Sequence, residues 1–76
     1  MIYPIRLDNK EDVIKLNNFA CEEDYNLSVS SGNTMVDAKS LLALFTLIGS
    51  SAILVAPDHL NPKKFIKLIE KMGISK

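Results

Sequence analysis

The sequence predicts an α+β domain: a four-stranded antiparallel sheet, open on one face, with three helices packed on the other. Three observations predict it. In the first seven residues Tyr3, Ile5 and Leu7 alternate with Ile2, Pro4 and Arg6, and around residues 25–30 apolar and polar residues alternate. Apolar residues recur at helical spacing in residues 13–20 and 65–72. A compact, β-branched-rich run, "SAILVA", stands between two helical segments. Period two marks a half-buried strand, and a period near 3.6 marks an amphipathic helix. In chain order the segments give β-α-β-β-α-β-α. Strands and helices mixed this way, with one hairpin, favour an antiparallel sheet covered on one side. Residues 1–76 form a single domain, with no linker, repeat or low-complexity stretch.

The first strand is "MIYPIRL". Ile2, Pro4 and Arg6 alternate with Tyr3, Ile5 and Leu7. Proline cannot donate to a ladder, so Pro4 favours an edge position. The first helix follows in "DNKEDVIKLNNFAC". Asp8 or Asn9 can cap it, and Glu11 and Asp12 suit the positive end of the helix dipole. Val13, Leu16, Phe19 and Ala20 form its apolar stripe, and its end is expected near Cys21. Cys21 itself reads as a small core residue, since no charge pattern activates it. The hairpin is "DYNLSVSSGNTMVDA". Tyr25, Leu27 and Val29 alternate with Asn26, Ser28 and Ser30, Gly32-Asn33 supplies the turn, and Met35-Val36 begins the return strand.

A short helix is expected from about Lys39 to Ile48, broken by Gly49. "SAILVA" reads as a central strand. The last helix opens with Asn61 as cap and Pro62 in the first helical position. Phe65, Ile66, Leu68, Ile69 and Met72 give it an apolar face, Lys63, Lys64, Lys67 and Lys71 line the other side, and Gly73 ends it.

The short helix holds the main functional clue. With Ser40 at zero and about 100° per residue, Ala43, Leu44 and Leu47 point one way. Leu41, Leu42 and Phe45 point broadly the other way. A helix lying on a sheet buries one face. The second apolar face is then a partner surface, or is covered by the first helix or by a homodimer.

Composition narrows the function classes. Apolar residues make up 47% and charged residues 24%, which is globular rather than disordered usage. The single cysteine, Cys21, excludes a disulfide within one chain, and a small fold without staples suits a reducing compartment. "MIYPIRLDNKED" is charged too early for a secretory signal, and no apolar run suits a membrane span. A cytoplasmic protein is expected, with no membrane partner. The net charge is zero, but residues 61–76 carry five lysines and one glutamate. That polarity could steer a partner; a lysine-rich nucleic-acid binder would need aromatic platforms and a positive overall charge, which are lacking.

"AKSLLALFTL", together with the order of elements, resembles HPr, the small phosphocarrier of the bacterial phosphoenolpyruvate:sugar phosphotransferase system. The matching features are Lys39-Ser40, two large apolar residues, then Leu44 and Leu47. The likeness spans nearly the whole chain. It implies the open-faced β-α-β-β-α-β-α sandwich, and for Ser40 it implies regulatory phosphorylation by a dedicated kinase. It also implies a partner surface at Leu41, Leu42 and Phe45 for phosphotransferase proteins or a transcriptional regulator. One departure lies after the second leucine, where Ile48 intervenes before Gly49 and the following loop looks shortened.

The likeness places the family's carrier histidine at Asn9, within "LDNKED". Asparagine has no imidazole nitrogen to accept a phosphoryl group. The family's arginine and proline positions become Glu11 and Asp12, so Asp8, Glu11 and Asp12 bring negative charge where a phosphate would sit. The expectation is therefore an HPr-like binding or regulatory protein without carrier chemistry and without a cofactor. The alternative is a phosphocarrier that uses another residue, with His59 or Ser40 as the candidates. His59 stands alone in "PDHLNP", with no triad or metal spacing beside it. Serine near a helix start also has a purely structural use as a cap, and Asp37 could cap in its place. A phosphoserine at Ser40 would be favoured by the helix dipole and disfavoured by Asp37. Glu22, Glu23 and Asp24 read as a polar loop without convincing metal spacing. No nucleophile–base pair, phosphate-cradling glycine loop or paired carboxylates suggest an enzyme.

Overall fold

The computed structural model describes residues 1–73. The elements are β1 (Ile2–Leu7), α1 (Lys10–Glu22), β2 (Ser28–Ser31), β3 (Thr34–Asp37), α2 (Leu41–Phe45), β4 (Ser50–Val55) and α3 (Pro62–Met72). The four strands form one antiparallel sheet in the order β1-β4-β2-β3. This is the expected α+β open-faced sandwich. β1 and β3 are the edges, so Pro4 lies where its missing N–H is tolerated. β4 is central, pairing with β1 from Ile2–Val55 to Leu7–Ser50 and with β2 from Ser28–Val55 to Ser30–Ile53.

The pleat sorts the sheet into two faces. Ile5, Leu7, Val29, Ala52 and Leu54 are buried on the helix side. From the helices they meet Val13, Leu16, Phe19 and Ala20 of α1, Leu44 of α2, and Phe65 and Ile69 of α3. No polar or charged residue is buried among the described residues. The core is thus made by hydrophobic burial alone. Phe19 and Phe65 join α1 to α3, with ring centroids 6.1 Å apart and planes tilted by 49°. The amine of Met1 reaches Ala56 O and pairs with Asp58, tying the start of β1 to the end of β4. That pairing holds the exposed Asp58 carboxyl below its ordinary range.

The local signals explain the element ends. Asn9 caps α1 by accepting from Asp12 N at 3.0 Å. Asn61 caps α3, accepting from Lys63 N and Lys64 N, and Pro62 follows at the first helical position. Gly73 closes α3 at φ 76°, a left-handed conformation that costs glycine little. In the hairpin, Gly32 has φ 58° while Asn33 stays at negative φ, the signs of a II′ turn.

Three expectations need correction. The helix expected over residues 39–48 spans only Leu41–Phe45. Beyond it, Thr46 N, Leu47 N and Ile48 N bond to carbonyls three residues back, a tighter winding. Thr46 Oγ1 also donates to Ala43 O at 2.6 Å. Gly49 N then donates to Leu7 O at 2.6 Å, which turns the chain into β4. The first hairpin strand starts at Ser28, not Tyr25, although Leu27 is buried and its carbonyl accepts from Ala38 N at 2.9 Å. Cys21 is exposed rather than in the core, and its thiol points to Lys39 O at 3.9 Å.

Candidate functional site

The start of α1 is the position that the family likeness assigns to the carrier histidine. One backbone donor of its first turn, and the N–H of Asp8 just before it, are already taken by side chains of the same segment. Asn9 Oδ1 takes the N–H of Asp12, and Asp12 Oδ2 takes the N–H of Asp8, each at 3.0 Å. Arg6 Nε donates to Asp8 Oδ1 at 2.5 Å, and Arg6 Nη1 donates to Ser51 Oγ at 3.2 Å. A helix N-terminus attracts an anion because its first N–H groups lack partners. Here the Asp12 carboxylate supplies the anion from within the helix. An incoming phosphoryl group would meet Asp8 and Asp12, with Glu11 also in the first turn. The arrangement caps a helix and offers no acceptor nitrogen. Replacing Asn9 with alanine should therefore cost stability, about 1 kcal/mol for a lost cap. Urea unfolding of Asn9→Ala measures this, and an unchanged midpoint would refute the capping role.

Around α2 the geometry differs. Leu42 is 80% exposed and Leu41 37% exposed, the former among the most exposed large apolar residues of the protein. Leu44 and Leu47 are buried, as the angular reading requires. Two neighbours depart from that reading. Ala43 is only half-buried, and Phe45 packs partly against the core rather than standing fully outward. Five residues make barely more than one turn, so the two faces of α2 are not cleanly opposed.

Ser40 occupies the N-cap position of α2, with φ −94° and ψ 99°, but its side chain makes no capping bond. Asp37 Oδ1 instead accepts from Lys39 N at 2.9 Å, closing the turn before the helix. The Ser40 side chain is thus exposed and uncommitted. Neither residue acts as a side-chain cap for α2.

α1 holds this segment in place through Asn17, which the sequence reading passed over, and Cys21, which it placed in the core. Asn17 Nδ2 donates to Ala38 O at 3.2 Å, and Cys21 reaches Lys39 O one turn later. Ile14 sits one turn before Asn17 on the same stripe and is also exposed. Residues three and four apart share a helix face, so the spacing Ile14, Asn17, Cys21 was the available signal. The result is an apolar surface from α2, with Ile14 on the side of α1 that holds it.

The remaining candidates stay apart from this surface. His59 is exposed in the turn before α3. Lys63, Lys64, Lys67 and Lys71 are exposed along α3. Glu23 and Asp24, together with partial burial, push the Tyr25 hydroxyl above its ordinary range, burial being the larger cause. Among the described residues, no group of three His, Cys, Asp or Glu side chains is placed to hold a metal ion. No helix among them is long and apolar enough to cross a membrane. No protein-family model matches the chain, and no curated protein matches it either.

Proposed function

We propose that this chain is an HPr-like protein-binding domain that has lost phosphocarrier chemistry and docks partners through α2. The observation that carries the reading is the exposure of Leu42 beside Leu41 on a helix whose other side is anchored in the core. Exposed apolar side chains grouped on one element mark protein contact surfaces. The start of α1, with Asn9 as cap and Asp8, Glu11 and Asp12 around it, supports the loss of carrier function. The likeness to HPr supplies the partner classes: phosphotransferase-system proteins and a transcriptional regulator. Ser40, exposed and uncommitted, is the residue that a dedicated kinase would modify in this reading.

The test is an NMR titration of the isotope-labelled protein with the phosphotransferase enzymes and with an HPr-responsive regulator. Shifts should centre on Leu41, Leu42 and Phe45. Leu42→Asp should weaken binding at least about tenfold, as loss of a central apolar contact does. The same substitution should change stability by no more than about 0.5 kcal/mol, because the side chain is largely in solvent. Absence of shifts with every one of these partners would sink the proposal.

A further inference from the structure

The side of the sheet away from the helices is unusually apolar for a face in solvent. Strand pairing lays out its residues in rows. One row reads Ile2, Val55, Ser28, Asp37 across the four strands. The next reads Pro4, Ile53, Ser30, Met35. The third begins with Arg6 and Ser51 and runs toward the turn at Gly32. Ile2 is 67% exposed, Met35 63% and Ile53 41%. Open antiparallel sheets usually show polar residues to solvent. This face instead carries five apolar side chains, small serines between them, and two opposite charges at diagonal corners.

Those corners distinguish between ways of covering the face. A second copy stacked on it by two-fold symmetry has its axis in the plane between the sheets. An axis along the strands would set Asp37 of one copy over Ile2 of the other. An axis across the strands would set Arg6 over Ile2. Either leaves a charge against an aliphatic side chain, which is costly when dry. A diagonal axis sets Arg6 over Asp37 at both corners. Arg6 Nη2 and the second carboxylate oxygen of Asp37 have no protein partner among the described residues, so both can make this contact.

The diagonal axis has two further consequences. Strands spaced about 4.8 Å apart and rows about 6.6 Å apart make the two sheets cross at roughly 85°, close to the orthogonal class of sheet packing. The same operation brings Met35 of each copy over the space between Ser51 and Gly32 of the other. That space is a hollow of about 370 Å³ lined by Pro4, Ser30, Ser31, Gly32, Ser51 and Ile53, among others. Ile53 falls near the axis, against its own copy.

We propose that the open sheet face is a self-association surface, on which two copies stack with strands crossed and Arg6 of each against Asp37 of the other. The face measures roughly 400 Å², so the pair buries roughly 800 Å², below the range of standard stable interfaces. The dimer is therefore weak and forms at high protein concentration. It leaves α2 uncovered on the far side of each copy, so it does not depend on the docking role of Leu42.

Sedimentation velocity and amide NMR from about 10 μM to 1 mM test it, the range in which a small interface would associate. The mean mass should rise with concentration, with shifts on β1, β4, β2 and β3. Arg6→Asp alone and Asp37→Arg alone should each weaken association at least about tenfold by setting like charges together. Mixed in equal amounts, these two variants should associate again, because each supplies the charge that the other lacks. Ile53→Lys, which touches neither charged corner, should stay monomeric with a dispersed native spectrum. A wild-type protein that is monomeric at 1 mM overturns the proposal. So does association that survives Ile53→Lys, association that maps to Leu41 and Leu42, or a mixture of the two charge variants that fails to associate.

Discussion

Leu54→Ala is expected to remove about 2–5 kcal/mol of stability, the range for deleting a fully buried leucine side chain. Leu54 has no exposed surface and lies on the central strand, opposite Tyr3 on one side and Val29 on the other. Both neighbours and the helices above it would face the cavity. A small domain has little reserve, since total stabilities run from about 5 to 15 kcal/mol and small cores sit toward the low end. Urea unfolding should show a midpoint lower by about 2 M or more at an unchanged slope near 1 kcal/mol per M. Ile53→Ala is the internal control: the next residue on the same strand, facing the open side, should cost far less. If the two substitutions cost the same, the assignment of faces on β4 is wrong.

Phe65→Ala should be comparably severe, at about 3–5 kcal/mol. Phe65 and Ile69 are the two α3 residues that are buried, so α3 is held by few anchors. Phe65 also meets Phe19 in a tilted ring pair, a geometry that adds about 0.5–1.5 kcal/mol beyond burial. The damage should be uneven. Amide hydrogen exchange across α3 should accelerate more than exchange in β4, because the helix loses its dock while the ladder keeps its bonds. Uniform acceleration in both elements would show that α3 does not open separately.

Where local rules govern, the fold was legible. β1, α1, β4 and α3 follow from alternation, helical spacing and caps, and Gly32-Asn33 marks the hairpin. α2 was misread because its length is decided elsewhere. Ten residues of helical composition stop at five because Gly49 N must reach Leu7 O at the end of β1, a contact no local pattern encodes. Cys21 is instructive in a different way. Leu16 to Cys21 is five steps of about 100°, which already turns the thiol away from the stripe. Periodicity was right there, and the general tendency of cysteine to be buried was misleading. Of the candidate site, the exposure of Leu41 and Leu42 was readable from angles. The partial burial of Phe45 was not, because the winding tightens just beyond it. The apolar open face was also hidden: β4 is apolar on both sides, and only the helices decide which side is core.

The position of β4 in the sheet sets the order in which the molecule can assemble. Its central strand is the last strand to be synthesised, and β1, the first, has no pairing partner until then. Until residue 55 leaves the ribosome, the only ladder that can form is the β2–β3 hairpin, while Ile5, Leu7 and Val29 await their cover. Closing β1 onto β4 spans most of the chain, and contacts of such long sequence separation form slowly. Folding of the sheet is in that sense gated by one late strand, whose arrival joins its two halves at once.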